Sequence, residues 1–237
     1  MPTRTRKPDV PARERLTRDR VVAAALRIMD DEGLDAVTMR RIAREVGVEA
    51  MSLYHHVRDK EDLLDGVCAM VMREFRYPDE DRPWIEVARE GAREWRRVLR
   101  EHPNVIALWA DRQRPMTELE ALMPMEFALR VIGRAGIDER EGVLVFNVLG
   151  GYIMGVVMME VGEMFSAGTS RAGTSSGPPP VHSKLPDEAF ARFLPEETMP
   201  CLVAALPHLA ACDPDEQFEF GLDLLLAGIA SRVAASA

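Results

Sequence analysis

The chain has 237 residues, of which 47% are hydrophobic and 29% charged, so its composition is that of a globular protein with one or two domains. The net charge of −9 is unevenly divided, because residues 1–60 hold 13 basic and 10 acidic residues whereas the remainder holds 17 and 29. This asymmetry indicates that only the N-terminal segment approaches a polyanion. Three widely spaced cysteines without a CxxC pair argue against a disulfide framework or a structural zinc site, and fit a reducing cytoplasm.

The N-terminal segment predicts a basic arm followed by four helices. Residues 1–16 carry prolines among basic residues and lack the apolar run of a signal peptide. Thr17 is a good N-cap for the first helix, and Thr38 caps a second, shorter helix that ends before Gly47. A third short helix, EAMSLYHHV, follows at once, and Asp59 caps the fourth. Two short helices joined by a glycine turn predict either a helix-turn-helix or an ordinary αα-hairpin.

The rest of the chain also predicts helices, with no run of period two that would indicate a strand. The predicted helices cover Trp84–Arg100, Thr117–Arg134, Asp138–Phe165 and residues 214–235. Residues 166–186 are rich in Gly, Ser, Thr and Pro and predict a mobile loop. The predicted fold class is therefore all-α.

One segment is apolar enough to raise the question of a membrane span. Residues 143–159 form a stretch of 17 residues without a charge, at the short end of what crosses a bilayer. Its flanks lack the clustered Lys and Arg that anchor a membrane helix. We therefore expect a buried helix of a cytoplasmic protein.

The stretch SLYHHVRDK contains two adjacent histidines, which predicts a metal site, a catalytic base or a surface for a large polar partner. Neighbouring residues on a helix point about 100° apart, so His55 and His56 are poorly placed to chelate one ion; a helical HExxH site needs spacing i, i+4. The sequence has no P-loop, GxGxxG or GxSxG motif. These observations favour the polar partner over an enzyme.

Residues 16–67 resemble the DNA-binding head of the TetR family of transcriptional regulators. The matching elements are GLDAVTMRRIA, VGV, SLYHHVRDKEDLL and their mutual spacing. Further along, LGGYIMGVV and FEFGLDLLLAGI resemble the C-terminal domain of the tetracycline-repressor subgroup. The resemblance implies an arm at 1–16, a three-helix helix-turn-helix domain at 17–62, and a helical ligand-binding and dimerisation domain at 63–237. It also implies a homodimer whose last two long helices pair with their symmetry mates, and a fourth helix that links the ligand pocket to the head.

In a helix-turn-helix the second helix enters the major groove, and here that helix is predicted to cover Glu49–His56, with Val48 and Leu53 facing the core and Val57 just beyond. Arg40 is the candidate for a bidentate contact to guanine, or otherwise a solvated charge. The other residues that the resemblance places at DNA are Ala50, Met51 and Ser52 near base edges, His55 at a base or sugar, and Thr38, Tyr54, His56 and Lys60 at phosphates. The alternatives are a core role for Tyr54 and a plain surface role for Lys60.

Tetracycline repressors hold a magnesium–drug complex with histidines that are absent from the corresponding stretches here, REFRYP and ALWADRQRP. We therefore expect a different small-molecule inducer, with no bound metal and no cofactor. Apolar and sulfur-containing residues predict the pocket lining, unless they are plain core residues. The predicted lining is Met70, Trp95, Trp109, Arg114, Met123, Phe127, Asn147, Met154 and Met158, with Phe146 and Glu160 nearby.

The dimer interface is predicted from a GxxxG spacing on the long apolar helix and a matching seam on the last one. The predicted interface residues are Gly151, Gly155, Phe218, Gly221, Leu222, Leu225 and Ile229. The sequence thus predicts a ligand-responsive, homodimeric DNA-binding repressor that a small molecule releases from a palindromic operator. The alternatives are an activator with the same head, a regulator controlled by a protein partner, and, more remotely, a helical enzyme without a DNA role.

Overall fold

The computed structural model describes residues 15–111, 118–168 and 194–236, and these residues form helices and connecting turns without a strand. The predicted all-α fold class is confirmed. The described residues divide into an N-terminal unit that ends at Val67 and a C-terminal unit that begins at Cys68. The predicted division after residue 62 falls inside the fourth helix, a few residues earlier. Nearly all of the arm predicted at 1–16 lies outside the described residues.

The N-terminal unit is built from short helices whose ends follow local capping rules. They are α1 (Arg18–Glu32), a 3₁₀ turn (Leu34–Ala36), α2 (Met39–Val46), α3 (Ala50–Leu53) and the start of α4 (Lys60–Met72). The Thr17 hydroxyl accepts a hydrogen bond from the Arg20 N–H at 3.2 Å, and the Thr38 hydroxyl accepts one from the Arg41 N–H at 3.1 Å. Gly47 adopts a left-handed conformation with φ 74°, which ends α2 and makes the tight turn before α3. These caps and the turn were predicted correctly.

The core of this unit joins α1 to the other helices. Ile28, Ile42 and Leu63 are among its fully or almost fully buried side chains. Arg18 ties α1 to α4 by donating from Nη2 to Asp62 Oδ1 at 2.9 Å. A Cβ added at Gly66 would lie 2.6 Å from Arg18 Nη1 and 2.8 Å from a Val22 methyl carbon, so the close approach of α1 and α4 requires a glycine there.

The C-terminal unit contains the longer helices. They are α5 (Trp84–Glu101), α6 (Asn104–Asp111), α7 (Leu119–Arg134), α8 (Glu139–Gly168), α9 (Pro200–Ala210) and α10 (Pro214–Ser236). Helix α9 was not among the helices predicted from the sequence. It begins with Pro200, whose fixed φ suits the first helical position. The predicted loop at 166–186 begins too early, because α8 continues through Gly168; residues 169–186 lie outside the described residues.

The core of the C-terminal unit is made where α5, α8 and α10 pack together. Leu99 from α5, Val157 from α8, and Phe218 and Leu222 from α10 have no exposed surface. The Tyr152 hydroxyl of α8 donates to the Phe218 carbonyl at 2.8 Å, which fixes α10 along α8. These contacts set which faces of α8 and α10 remain on the surface.

The long helix α8 is apolar enough to cross a membrane by length and composition, over Glu139–Val161. The sequence analysis predicted a buried helix, but only 22% of its most apolar window is buried within the single chain. Leu144, Val148 and Met158 are each about half exposed, at 58%, 54% and 49%. One face of α8 is therefore in the core and the other is an apolar surface.

Candidate functional site

The element predicted to read DNA is shorter than expected. The sequence analysis predicted a helix over Glu49–His56, but α3 covers only Ala50–Leu53. The chain then tightens, with the His56 N–H donating to the Leu53 carbonyl at 2.8 Å and the Tyr54 N–H to the Met51 carbonyl at 3.3 Å. These i→i+3 bonds tighten the chain, and the Val57 N–H then donates to the Leu53 carbonyl at 3.0 Å, so the second half of the reading element is a turn.

This element has one buried side and one exposed side. Leu53 and Val57 are 0% and 2% exposed and anchor it to the core of the N-terminal unit, as predicted. On the other side, Met51 is 74% exposed and Tyr54 is 47% exposed. The alternative that Tyr54 is a core residue is therefore wrong.

The nine predicted DNA-contacting residues are all accessible at the surface, exposed or half-buried. Thr38, Arg40, Met51, Tyr54, His55 and Lys60 are exposed, and Ala50, Ser52 and His56 are half-buried. Thr38 uses its hydroxyl oxygen to cap α2, which leaves the hydroxyl hydrogen for a phosphate oxygen.

Two adjacent arginines on α2 have different environments. The Arg41 guanidinium donates to Glu32 Oε1 at 2.6 Å and to Glu45 Oε2 at 2.8 Å, and these hydrogen bonds raise its pKa. Arg41 is thus occupied in joining α1 to α2. Arg40 lies about 100° around the helix axis from Arg41. It is exposed and makes no salt bridge to a described residue. Its guanidinium is free to meet a base edge or a phosphate.

The sequence analysis missed a second exposed cation on α2. Arg44 follows Arg40 by four residues, so the two side chains lie on the same side of the helix, one turn apart. Arg44 is exposed and makes no hydrogen bond or salt bridge to a described residue. The i, i+4 spacing of the two arginines was the signal that could have revealed it.

Three of the predicted ligand-contacting residues meet in an aromatic cluster in the C-terminal unit. The rings of Trp95 and Trp109 are stacked, with centroids 5.5 Å apart and planes 7° apart. Phe75 contacts both Trp95 at 6.1 Å and Phe127 at 5.8 Å, between ring centroids. Tyr77 also packs against Phe127, and burial raises the pKa of its hydroxyl. Phe75 and Tyr77 were not predicted as part of this cluster.

The cluster contains one buried side-chain polar atom without a hydrogen-bond partner among the described residues. The indole Nε1 of Trp109 is buried and has no hydrogen-bond partner in the part of the chain that the structure describes. A buried N–H donor without an acceptor costs about 1–3 kcal/mol, which a bound acceptor would recover.

The remaining predicted pocket residues are distributed differently. Met70 and Met154 are half-buried, and Met154 packs against the core of the C-terminal unit. Met123 and Met158 are 46% and 49% exposed and Asn147 is exposed, so in the single chain these three do not line an enclosed pocket. Their assignment to the pocket wall stays a prediction. Arg114 lies outside the described residues.

A buried ion pair joins α5 to α8. Arg96 and Glu160 are each 8% exposed, and the Arg96 Nε donates to Glu160 Oε1 at 3.0 Å. The Arg96 guanidinium also donates to Asp215 Oδ1 at 2.6 Å and lies 4.5 Å from the centroid of the Phe218 ring. Burial opposes the charge on Arg96, but the hydrogen bonds that its guanidinium donates to Glu160 and Asp215 outweigh this effect and raise its pKa. The sequence singled out Glu160 but gave no signal for Arg96.

An open cleft runs along the polar side of α5, lined by arginines and by Glu101. Each lining arginine has a carboxylate partner: Arg93 pairs with Glu219, Arg96 with Glu160, Arg97 with Glu94, and Arg100 with Asp215. Because these charges are already matched, the cleft is not an anion site, and the aromatic cluster is the better candidate for the ligand region.

The structure corrects the predicted dimer seam on the last helix. Phe218 and Leu222 have no exposed surface and Ile229 is 8% exposed, because they face α8 of the same chain. Gly221 also faces inward, since a Cβ there would lie 2.3 Å from the Tyr152 hydroxyl oxygen, and Leu225 is half-buried. The exposed apolar residues of α10 are instead Phe220, at 66%, and Leu224, at 61%.

On α8 the predicted interface glycines do lie on the surface. Gly151 and Gly155 are exposed, and with Leu144, Val148 and Met158 they follow one side of the helix at spacings of three and four. We call the following exposed residues of α8 and α10 the apolar face: Leu144, Val148, Gly151, Gly155, Met158, Phe220 and Leu224.

The N-terminal unit has two short helices joined at Gly47, with Leu53 and Val57 buried and an exposed side that carries polar and cationic residues. This arrangement defines a helix-turn-helix DNA-binding protein. Residues 21–67 match the family "Bacterial regulatory proteins, tetR family", and residues 77–233 match "Tetracyclin repressor-like, C-terminal domain". The chain belongs to the TetR family of transcriptional regulators.

Individual relatives agree with this assignment. The chain is 31% identical over 217 residues to an HTH-type transcriptional regulator of Saccharopolyspora erythraea, which covers 91% of this chain and 85% of that protein. It is 34% identical over 158 residues to the HTH-type transcriptional repressor DrrR1 of Streptomyces coeruleorubidus, covering 66% of this chain and only 58% of that protein. The Streptomyces coelicolor TetR family protein ActR in complex with actinorhodin has a TM-score of 0.73 and 29% identity, covering 92% of this chain and 99% of that one.

Proposed function

We propose that the chain is a cytoplasmic, homodimeric repressor that binds a palindromic operator through its N-terminal unit and leaves it when a small molecule occupies its C-terminal unit. The observation that carries the proposal is the exposed surface formed by α2 and the α3 turn. Arg40 on α2 and Lys60 at the start of α4 are exposed. Met51, Tyr54 and His55 lie on the exposed side of the element whose buried side is Leu53 and Val57. The repressor DrrR1 among its relatives supports the direction of control.

Within this proposal the residues have distinct tasks at DNA. Arg40 makes the sequence-specific contact, because a guanidinium can donate two hydrogen bonds to guanine. Thr38, Tyr54, His56 and Lys60 hold phosphates, and His55 meets a base or sugar. Ala50, Met51 and Ser52 approach base edges, where the first two can make only apolar contacts. Arg44, one turn after Arg40, adds a phosphate contact. With few bidentate side chains, DNA shape contributes much of the specificity and phosphates most of the affinity.

We propose that the inducer binds at the aromatic cluster of Phe75, Tyr77, Trp95, Trp109 and Phe127, and that Met154 contributes to the lining. The cluster is largely apolar and offers a buried unpaired donor, the Trp109 Nε1. A ligand with a flat apolar body and a hydrogen-bond acceptor suits these groups. The relative ActR is known in complex with actinorhodin, which supports a small-molecule effector for this chain.

The apolar face supplies the homodimer contact in this proposal. Two copies related by a twofold axis would bury the exposed sides of α8 and α10 against each other, which explains why most of α8 is uncovered in the single chain. Two heads on such a dimer meet successive major grooves about 34–36 Å apart. Ligand binding then favours a head spacing that mismatches the operator, which is a population shift between two arrangements.

DNA binding is tested by selecting duplexes from a random pool with the purified protein and measuring gel retardation at two salt concentrations. We expect a palindromic consensus whose retardation weakens as salt rises. Failure to enrich any sequence, together with the absence of salt-sensitive retardation for protein shown to be dimeric, would reject the DNA-binding function.

Repression is tested separately from DNA binding. Deleting the gene in its host should raise transcription from the promoters that carry the selected operator. Reduced transcription would establish the activator instead, and unchanged transcription at all selected sites would remove the regulatory assignment. A thermal-shift screen of aromatic metabolites and antibiotics, followed by operator release, identifies the inducer. Release by a bound protein rather than by any small molecule would favour the alternative of a protein partner.

A further inference from the structure

A cluster of potential metal-ligating side chains lies apart from the predicted DNA-contacting residues and from the members of the aromatic cluster. Glu74 follows the end of α4, and Glu101 and His102 stand at the C-terminal end of α5, all within the C-terminal unit. One potential ligand atom from each, a carboxylate oxygen from each glutamate and a ring nitrogen from the histidine, lie within 4.8 Å of one another. We propose that these three residues bind a divalent first-row transition-metal ion.

The geometry is close to that of a metal site. The His102 Nε2 lies 3.2 Å from Glu74 Oε2. Ligand atoms around a tetrahedral zinc ion, with bonds of about 2.0–2.2 Å, are themselves separated by roughly 3.3–3.5 Å. The histidine and one carboxylate are therefore already at the spacing of a shared ion. The third ligand would be the Glu101 carboxylate oxygen that Arg97 does not engage, on a side chain that is 50% exposed.

His102 is held in place by its backbone and by burial. Its side chain is 13% exposed. Its N–H donates to the Val98 carbonyl at 3.0 Å, and its carbonyl accepts from the Val105 N–H at 3.0 Å, at the junction of α5 and α6. A fixed histidine with two adjustable carboxylates supplies a preorganised nitrogen ligand and leaves the remaining coordination positions to water.

The positive charge of the neighbouring Arg97 disfavours a metal ion at this cluster. The hydrogen bonds of Arg97 determine how much of that charge is offset. Its Nη1 donates to Glu101 Oε2 at 2.5 Å and its Nη2 to the Glu74 carbonyl at 2.7 Å. Glu94 accepts from the same guanidinium at 2.7 Å and offsets its charge. The carboxylates of Glu94 and Glu101 contact this guanidinium, whereas the Glu74 carboxylate contacts His102, so three carboxylates outnumber one guanidinium among these residues. Glu101 retains its second oxygen for the metal.

The donor set defines the class of ion. One imidazole nitrogen with carboxylate oxygens suits Zn²⁺, Co²⁺ or Ni²⁺ better than Mg²⁺, which prefers an all-oxygen octahedral shell. A bound ion would link the segment after α4 to the α5–α6 junction. It would stabilise the C-terminal unit in proportion to its occupancy, because it binds the folded chain. The site is separate from the aromatic cluster and does not depend on the proposed inducer.

The test is a titration of the full-length protein with Co²⁺ and Zn²⁺, followed by calorimetry, visible absorption of cobalt and thermal unfolding. Cys201 and Cys212 are exposed thiols that bind both metals, so the starting protein carries Cys201→Ser and Cys212→Ser. We expect one ion per chain and a melting temperature that rises with metal but not with Mg²⁺. His102→Ala should weaken binding at least about tenfold. His208→Ala, at an exposed histidine of α9, should leave it unchanged.

Glu101→Gln is the second variant, because Arg97 keeps Glu94 as a partner and the fold is retained. It should also weaken cobalt binding while the circular dichroism spectrum stays the same. The proposal is overturned if the starting protein binds no ion, or if His102→Ala and Glu101→Gln bind Co²⁺ as tightly as it does. A loss of binding in His208→Ala alone would equally overturn it by locating the metal elsewhere.

Discussion

The apolar face makes a quantitative prediction about the dimer. Phe220 on α10 is 66% exposed in the single chain, although it is one of the larger apolar side chains on that face. Replacing it with alanine removes most of its apolar surface without touching the protomer core, because the neighbouring Phe218 supplies the core contact. We therefore expect Phe220→Ala to weaken the dimer and leave the fold of each chain intact.

The size of the effect follows from the exposed fraction. A phenylalanine offers about 200 Å² for burial, so two-thirds of it is about 130 Å², or about 3 kcal/mol at ~25 cal/mol/Å². Alanine retains part of this, which leaves a loss of about 2 kcal/mol for each copy. A twofold dimer contains the residue twice, so the dissociation constant should rise by roughly 10³.

The assay is sedimentation equilibrium over a range of protein concentrations, with Leu119→Ala as the matched control. Leu119 on α7 is 75% exposed but lies outside the apolar face, so its truncation should not change the dissociation constant. A Phe220→Ala protein that dimerises as tightly as the parent would refute the assignment of this face. So would an equal loss in both variants, because it would show that exposed apolar area alone decides association.

Three further predictions concern single side chains. Arg40→Ala should relax base preference at one position by about 1–3 kcal/mol without lowering the melting temperature. Arg41→Ala should lower the melting temperature, because the salt bridges of Arg41 to Glu32 and Glu45 are lost. Equal melting temperatures of the two variants would contradict this distinction. Gly66→Ala should cost about 1–3 kcal/mol in urea unfolding because its Cβ would collide with α1, and an unchanged midpoint would show that α1 shifts freely. The hydrogen bond from Arg93 lowers the pKa of Glu219, so this pair stabilises the fold above the unfolded pKa of about 4.3 and the contribution disappears as pH falls through the lowered value. Glu219→Gln should flatten the acid side of a plot of melting temperature against pH, and an unaltered acid slope would exclude this contribution.

The elements that the sequence predicted well depend on local chemistry. Thr17 and Thr38 cap helices through hydrogen bonds to residues three positions away, and Gly47 supplies the left-handed turn. Such signals are contained in a few consecutive residues. The same is true of Leu53 and Val57, whose spacing by four places both on the buried side of the reading element.

The errors arose where the outcome depends on tertiary packing. Helix α10 is apolar on nearly all sides, so its pattern could not decide whether Phe218 or Phe220 faces the core; the contact with Tyr152 of α8 decides it. Arg96 and Glu160 are 64 residues apart, so no local pattern marks their ion pair. The length of α3 was overestimated because i→i+3 bonds close its last turn, which residue propensities do not report.

The central claim is that the exposed side of α2 and α3, together with Lys60 at the start of α4, binds the phosphates and bases of operator DNA. The most direct measurement is fluorescence anisotropy of the parent and Lys60→Ala proteins on a selected duplex over a series of salt concentrations. We predict that the logarithm of the binding constant falls linearly with the logarithm of salt, and that Lys60→Ala lowers the slope by about 1 while sequence preference is retained. An affinity that does not respond to salt, or a slope that is identical in the two proteins, would contradict the claim.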